Sequence, residues 1–250
     1  MRAKPDPLIV LRSLLFNLLF WLWTGAMVLV AAPLMLLPPS ALVAAGRFWQ
    51  RGIQALLRLV AGLDYELRGR ERIPSGPVIF AVKHQSAWET LATLLLFERP
   101  AIALKKELTQ IPLFGWYMLR TGMIRIDRAR GTRALRSLVT GAKAAIERGA
   151  SPVIFPEGTR TAPGERRPYH PGIAAVYLQL GRPVVPVALN SGIFWPRRSF
   201  VKRPGRIVVE FLPAIEPGLD RKTFMAELEQ RLESASDRLV AEARQQIASR

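Results

Sequence analysis

Cysteine is absent from this chain of 250 residues. Its absence excludes disulfides, a thiolate nucleophile and any metal site built on cysteine, and it fits a reducing compartment. Histidine is scarce as well, with one residue at position 84 and one at position 170. Because two distant imidazoles without a thiolate make a poor ligand set, we predict that the protein binds no metal.

Acidic residues are also few: 19 Asp and Glu face 36 Lys and Arg, which gives a formal net charge of +17. This excess predicts an anionic partner, either nucleic acid or an acidic lipid leaflet. Charge disappears altogether over residues 13–37. An apolar segment of this length at the N-terminus favours the lipid leaflet, so we predict no nucleic acid partner.

The uncharged segment is long enough to cross a hydrocarbon core of about 30 Å. It is too long for a cleaved signal peptide, whose apolar part has about 7 to 15 residues. Pro33 and the pair Pro38 and Pro39 are expected to break the helix. Residues 41–63 then continue as an amphipathic pattern studded with arginine, which is typical of a helix on a membrane surface. Spanning the bilayer and lying in one leaflet both stay open.

The positive charge lies mainly after the apolar segment. By the positive-inside rule we predict an inner-membrane protein whose globular part faces the cytoplasm. We divide the chain into membrane-associated helices over residues 1–62 and an α/β domain over residues 63–250.

Within residues 63–250, short β-rich runs alternate with longer helical patterns. This alternation predicts an α/β fold with a mostly parallel sheet flanked by helices, and a site at the carboxyl ends of the strands. Strands are predicted at 64–69, 76–83, 101–104, 123–127, 152–155, 183–189 and 206–212. Helices are predicted at 87–97, 111–120, 132–148, 172–180 and 224–247.

His84 follows the buried strand PVIFAVK, where a helix begins near Ser86. A helix N-terminus disfavours imidazolium, so the ring stays neutral and able to accept a proton. Glu89, five residues on, is placed to bond the other ring nitrogen, as the carboxylate does in a Ser-His-Asp triad. Ser86 is better explained as an N-cap than as a nucleophile. A base without a protein nucleophile suggests that the substrate supplies the hydroxyl; an ordinary loop histidine is the alternative.

A second strand, PVIF, runs into the loop Pro-Glu-Gly-Thr-Arg at 156–160. This loop has the donors of a phosphate-binding site: backbone N–H groups near Gly158, the hydroxyl of Thr159 and the guanidinium of Arg160. Taken alone, this stretch is better explained as a turn with a solvated arginine. Basic residues between the two motifs would add positive charge to the same pocket: Lys105, Lys106, Arg125 and Arg128.

Together these stretches resemble the glycerolipid acyltransferase family, and within it the bacterial branch that acylates 1-acyl-glycerol-3-phosphate. The family's His-x-x-x-x-Asp block is matched at 84–89, its Ile-x-Arg block at 122–128, and its apolar strand around a proline at 184–188. Its Phe-Pro-Glu-Gly-Thr-Arg block is identical at 155–160 and is the most specific of the four. The resemblance covers roughly residues 63–212.

The resemblance implies acyl transfer from acyl-CoA or acyl carrier protein to the hydroxyl of a lysophospholipid, with no cofactor beyond this co-substrate. His84 would be the general base and Glu89 its orienting partner. Binding of the acceptor phosphate is implied for six residues: Lys105, Arg128, Glu157, Gly158, Thr159 and Arg160.

Two positions depart from the family pattern. Glu89 stands where most members have Asp, and His170 stands where Lys is usual, so that a titratable group replaces a permanent charge. The alternatives are an acyltransferase with another lysolipid acceptor, a thioester hydrolase that uses water, and a basic membrane-binding protein without catalysis.

Overall fold

The computed structural model of the protein describes residues 6–127 and 131–248. Its centre is a seven-stranded sheet in the order β1-β7-β6-β2-β5-β3-β4. The strands are β1 (Leu63–Arg68), β2 (Ile79–Val82), β3 (Pro100–Lys105), β4 (Ile124–Ile126), β5 (Ser151–Ile154), β6 (Val184–Leu189) and β7 (Gly205–Phe211). Strands β2, β5 and β6 lie at the centre, because their continuous apolar sequences suit burial on both faces.

Five neighbouring strands, from β6 to β4, run parallel. Strand β7 is antiparallel to β6, and β1 is parallel to β7. The predicted α/β fold with a mostly parallel sheet is therefore confirmed. The carboxyl ends of β2, β5 and β6 meet at one edge of the sheet, where the predicted motifs at 84–89 and 155–160 begin.

Helices cover both faces of the sheet. They are α1 (Pro7–Leu34), α2 (Pro39–Leu56), α3 (Trp88–Leu96), α4 (Phe114–Arg120), α5 (Thr132–Glu147), α6 (Gly172–Leu180), α7 (Ser191–Phe194) and α8 (Arg221–Ala248). One core cluster joins the sheet to α5, α6 and α8, and the other joins its opposite face to α1, α2 and α3. The short helix α7 has no counterpart among the predicted elements.

The two N-terminal helices form a hairpin that packs on the α/β part. Phe16 of α1 is completely buried in the same cluster as strands β1 and β6. Gly52 of α2 lets the hairpin close, since a Cβ there would lie 2.4 Å from the Trp23 ring. The indole N–H of Trp23 donates to the Trp49 carbonyl at 3.0 Å. The helices at 7–56 thus share a core with the sheet, while the division at residue 62 stays a prediction.

Helix α1 is long and apolar enough to cross a membrane, judged by length and composition alone. In its most apolar 18-residue window, 11% of the residues are buried inside the protein. The exposed side includes Leu11, Trp21, Leu22 and Leu29, each more than half exposed. A large apolar face that residues 6–127 and 131–248 leave exposed supports membrane association.

The structure explains two of the helix boundaries that differ from the predictions. Helix α1 continues through Pro33 to Leu34, because a proline this close to the end disturbs only the last turn, where the Met35 N–H bonds the Ala32 carbonyl instead. Helix α4 begins at Phe114 and not at residue 111. Leu113 has a φ of +62° and closes a tight turn in which the Phe114 N–H donates to the Pro112 carbonyl at 2.7 Å.

Lys202 connects helix α1 to the loop before β7. Its ammonium group donates to the Asn17 side-chain oxygen at 2.7 Å and to the Phe200 carbonyl at 2.9 Å. The rings of Phe16, Trp195 and Phe200 surround it, with centroids 4.6 to 5.6 Å from Nζ. Burial lowers the pKa of Lys202 to about 8, and the aromatic faces offset part of this cost by favouring the cation.

We expect the Lys202 ammonium to make the folding stability depend on alkaline pH. Its folded-state pKa lies below the ordinary value of 10.5, so the unfolded chain binds more protons between pH 8 and 10.5. The cost of burying the charge is fully present below pH 8 and is lost as the pH rises through this window. Relative to Lys202→Met, the wild type should gain about 1 to 3 kcal/mol in free energy of unfolding. Denaturant unfolding in detergent from pH 7.5 to 10 measures this difference; parallel curves for the two proteins would contradict it.

Candidate active site

His84 stands two residues beyond the end of β2, and the loop that follows β5 holds its main chain on both sides. The His84 N–H donates to Glu157 Oε2 at 2.8 Å, and the His84 carbonyl accepts from the Thr161 N–H at 2.8 Å. Its ring stacks on Phe155, with centroids 4.2 Å apart. The first and third blocks of the sequence are therefore joined at this residue.

Glu89 lies in the first turn of α3 and orients the His84 ring. Its Oε1 atom is 2.9 Å from His84 Nδ1 and also accepts from the N–H groups of Gln85 and Ser86, each at 2.7 Å. Because an ionised carboxylate only accepts, Nδ1 carries the proton in this contact and Nε2 keeps its lone pair. The His84 side chain is 12% exposed and Glu89 is 1% exposed. The arrangement is that of a base held by a buried carboxylate.

Ser86 has a structural role in the turn before α3, although the N-cap of the helix is Ala87 and not Ser86 as predicted. Its hydroxyl accepts from the Trp88 N–H at 3.2 Å, while its own N–H donates to Glu89. The two bonds fix the turn that leads into α3, one residue before its N-cap Ala87. The hydroxyl is completely buried, so Ser86 is not placed to act as a nucleophile.

The loop after β5 carries the predicted phosphate-binding residues. Gly158 has a φ of +64°, which an L-residue rarely adopts, and its N–H closes the turn by donating to the Phe155 carbonyl at 3.0 Å. Thr159 and Arg160 are partly exposed. The chain returns to His84 one residue later, at Thr161, so the main chain of these two residues runs close to the histidine.

The prediction that Glu157 contacts phosphate needs correction. Its carboxylate is 2% exposed and turned into the protein, where it accepts from the His84 N–H and pairs with Lys83 Nζ at 2.7 Å. Burial raises the pKa of Glu157, and the neighbouring Lys83 opposes this change. A buried anion beneath the histidine positions the loop and would repel a phosphate.

Lys83 is the centre of a buried polar network that reaches the C-terminal helix. Its Nζ lies 2.7 Å from Glu157 and 2.6 Å from Glu233 of α8, and the Tyr169 hydroxyl donates to Glu233 at 2.7 Å. Burial, followed by the neighbouring Glu233, raises the pKa of Tyr169 far above its usual range. The network ties α8 to the two loops that form the site.

Two further residues from the sequence analysis, Lys105 and His170, have exposed side chains. Lys105 is exposed at the end of β3, the strand next to β5. Arg128 lies outside the described residues. The His170 side chain is exposed, while its N–H donates to the Pro156 carbonyl at 2.8 Å.

Comparison with known proteins now identifies the chain. The family model described as Acyltransferase matches residues 64–190, just over half of its length. The 1-acyl-sn-glycerol-3-phosphate acyltransferase of Pseudomonas aeruginosa is 39% identical over 194 residues, which cover 78% of this chain and 76% of that protein. The chain belongs to the acyltransferase family. This membership decides against the alternative of a binding protein without catalysis.

Other relatives of this acyltransferase agree. The 1-acyl-sn-glycerol-3-phosphate acyltransferase of Escherichia coli is 27% identical over 191 residues, covering 76% of this chain and 78% of that protein. The crystal structure of PlsC, the lysophosphatidic acid acyltransferase of Thermotoga maritima, matches with a TM-score of 0.74 at 21% identity. The structural match covers 92% of this chain and 96% of the Thermotoga maritima protein, so the two proteins share the fold over nearly their whole length.

Four residues of the acyltransferase site are absent from the sequence-based predictions: Lys83, Tyr169, Ser191 and Glu233. Lys83 had a detectable signal, since a charge that ends a fully apolar strand at the sheet edge requires a buried partner. Ser191 follows strand β6, at the same edge. Tyr169 and Glu233 lie in a loop and on a helix without a pattern that marks them.

Proposed function

We propose that the protein transfers a fatty acyl group from a thioester, acyl-CoA or acyl carrier protein, to the sn-2 hydroxyl of 1-acyl-glycerol-3-phosphate, which makes phosphatidic acid. The observation that carries this proposal is the His84 and Glu89 pair beside the loop at 157–161. Within residues 6–127 and 131–248, the hydrogen-bond partner of the ring is the Glu89 carboxylate and not a hydroxyl of the protein. The relatives from Pseudomonas aeruginosa and Escherichia coli, both 1-acyl-sn-glycerol-3-phosphate acyltransferases by name, support the choice of acceptor.

His84 acts as the base in this proposal. Its Nε2 takes the proton from the sn-2 hydroxyl as the oxygen attacks the thioester carbonyl, and Glu89 stabilises the imidazolium that forms. The tetrahedral intermediate collapses, the carbon–sulfur bond breaks, and the leaving thiolate takes the proton from the imidazolium. The histidine ends neutral, and the products are the ester and the free thiol.

Recognition of the acceptor phosphate falls to the loop after β5 in this proposal. Arg160 offers paired donors to the phosphate oxygens, and the Thr159 hydroxyl adds a shorter-range contact. Gly158 is proposed to shape the loop around the phosphate, because its N–H closes the turn to Phe155. Lys105 and Arg128 are proposed to extend the positive field. Glu157 is given a positioning role because its carboxylate is engaged by Lys83 and by the His84 N–H.

Thiol release from acyl-CoA tests the proposed function. The chain contains no cysteine, so a thiol reagent reports only the released coenzyme. We expect release by the detergent-purified protein that depends on 1-acyl-glycerol-3-phosphate. Release without an acceptor would indicate hydrolysis, and release only with another lysolipid would replace the proposed acceptor. An assay with acyl carrier protein as donor decides between the two thioesters.

We further propose that the outer face of α1 contacts the inner membrane, with the α/β part in the cytoplasm. Exposed apolar side chains line this face, and Phe48 and Leu59 of the adjoining segment extend it. The basic loop at 197–203, beside the N-terminal half of α1, would meet anionic headgroups.

Replacing Leu11, Leu15 and Leu22 by serine should weaken membrane attachment. Each is about half exposed or more, so the change removes apolar contact area and little of the core. We expect a drop in co-sedimentation with anionic vesicles of at least tenfold, while Leu178→Ser on α6, an equally exposed leucine, leaves it unchanged. In membrane vesicles prepared from cells, trypsin should cut the basic loop when the vesicles are inverted and spare it when they are right-side-out. Cleavage only in right-side-out vesicles would reverse the proposed orientation.

A further inference from the structure

Ser191 bonds the oxygen of the Glu89 carboxylate that His84 does not bond. It is the first residue of α7, directly beyond the carboxyl end of β6. Its hydroxyl donates to Glu89 Oε2 at 2.9 Å, while the other carboxylate oxygen holds the His84 ring. Ser191 is completely buried and Glu89 is 1% exposed, so water does not compete for this bond.

The main chain around Ser191 is anchored independently. The Gly192 N–H donates to the Gln85 side-chain oxygen at 3.1 Å, which ties α7 to the residue after His84. A Cβ at Gly192 would lie 2.8 Å from the Pro163 ring and 3.0 Å from Gln85 Cβ, so the segments touch directly. On the other side, Asn190 accepts from the Val208 N–H at 2.9 Å and donates to the Leu239 carbonyl at 3.2 Å. The hydroxyl is therefore presented by a fixed segment.

We propose that Ser191 is a positioning residue of the acyl transfer reaction and forms, with His84 and Glu89, a three-membered chain. The proposal rests on the proposed role of His84 as the base. When the ring takes the proton from the acceptor hydroxyl, Glu89 must remain ionised in a buried setting. A hydrogen bond from Ser191 to the charged carboxylate stabilises that form and fixes the direction of its other oxygen.

The hydrogen-bonded chain of Ser191, Glu89 and His84 also gives a reason for glutamate at position 89. An aspartate on the same turn of α3 would hold its carboxylate one methylene farther back. The extra reach of glutamate allows one oxygen to bond the His84 ring and the other to bond Ser191.

The test compares Ser191→Ala and Ser191→Gly with Ser236→Ala. Ser236 is a matched control, because its hydroxyl is buried in α8 and has no hydrogen-bond partner in the described part of the chain. A hydrogen bond to a charged group contributes about 1.5 to 3 kcal/mol, which corresponds to a fall in kcat of about tenfold to hundredfold. We expect this fall in both Ser191 variants with the KM for the acceptor unchanged, and a kcat within twofold of the wild type for Ser236→Ala.

A double-mutant cycle separates this role from simple packing. If Ser191 acts through the carboxylate, Ser191→Ala should have little effect on kcat in a Glu89→Gln background. An equal fall in both backgrounds, or a kcat for Ser191→Ala within twofold of the wild type, would overturn the proposal. These assays use whichever acceptor the wild type turns over. If the wild type does not acylate 1-acyl-glycerol-3-phosphate, the proposed acceptor is wrong, and the role of Ser191 is then tested with the other acceptor.

The contact itself is measurable without turnover. In a His170→Gln background His84 is the only histidine, and its labelled ring gives a single Nδ1–H resonance. We expect this resonance to shift on Ser191→Ala and to stay in place on Ser236→Ala. An unchanged resonance in the Ser191 variant would show that the hydroxyl does not act on the pair.

Discussion

Replacing His84 by alanine should lower kcat for acceptor-dependent thiol release by a factor of about 10² to 10⁴. The variant keeps the loop at 157–161, but it has no group that takes the proton from the acceptor hydroxyl. The ring stacks on Phe155, while the main-chain bonds of residue 84 to Glu157 and Thr161 survive the substitution. We therefore expect a folded protein whose thermal unfolding midpoint is close to that of the wild type.

His170→Ala is the control for this experiment, because His170 is the other histidine and its side chain is exposed. Its main-chain bond to Pro156 survives the substitution. We expect a kcat within about threefold of the wild type, consistent with most exposed substitutions. A similar loss of kcat in both variants would contradict the assignment of the base to His84, and full activity of His84→Ala would remove the mechanism.

The parts of the fold that sequence patterns predict are those with a local cause. Strands β2, β5 and β6 are continuous apolar runs, and α5 and α6 follow a helical period, so their positions agree with the structure to within a few residues. The pairing of His84 with Glu89 is also local: five residues at a strand-to-helix junction bring the two side chains together.

Local patterns cannot reveal contacts that depend on the order of the strands. Ser191 and Glu89 are 102 residues apart, and Lys83 and Glu233 are 150 residues apart. The first pair meets because β6 lies beside β2 in the sheet, although the two strands are distant in the chain. The start of α4 depends on Leu113 at positive φ, which is uncommon for a residue other than glycine.

Glu157 shows that one residue of a correctly identified motif can have a different partner from the predicted one. The sequence pattern predicts contact with phosphate, whereas the structure shows contacts with Lys83 and the His84 N–H. The Phe-Pro-Glu-Gly-Thr-Arg stretch directs attention to phosphate, because arginine, threonine and a glycine turn suit an anion. The glutamate within it serves the opposite face of the loop, where Lys83 neutralises it. Only the buried lysine beneath the loop explains why an acidic residue occurs there.

Replacing Lys83 by methionine should lower the free energy of unfolding by about 3 to 5 kcal/mol, the usual effect of leaving a buried partner charge unpaired. Methionine fills a similar volume, but it cannot compensate Glu157 and Glu233, whose carboxylates both approach Nζ within 2.7 Å. Lys143→Met is the control, since this lysine is exposed on α5 and its replacement should change stability by less than about 0.5 kcal/mol. Denaturant unfolding in detergent at pH 7.5 measures both variants.

The loss of stability in Lys83→Met should also depend on pH, and the direction of this dependence follows from Glu157. Burial already raises the pKa of Glu157 in the presence of Lys83, and removal of the cation takes away the two largest opposing influences. The folded Lys83→Met variant therefore binds a proton more readily than the unfolded chain, so its stability falls as the pH rises through the folded-state pKa. The gap to the wild type should be largest near pH 7.5 and shrink towards pH 5, where a protonated Glu157 needs no counter-charge. A gap that stays constant over this range would mean that Lys83 stabilises the fold by packing, and that the ion pair beneath His84 contributes nothing to it.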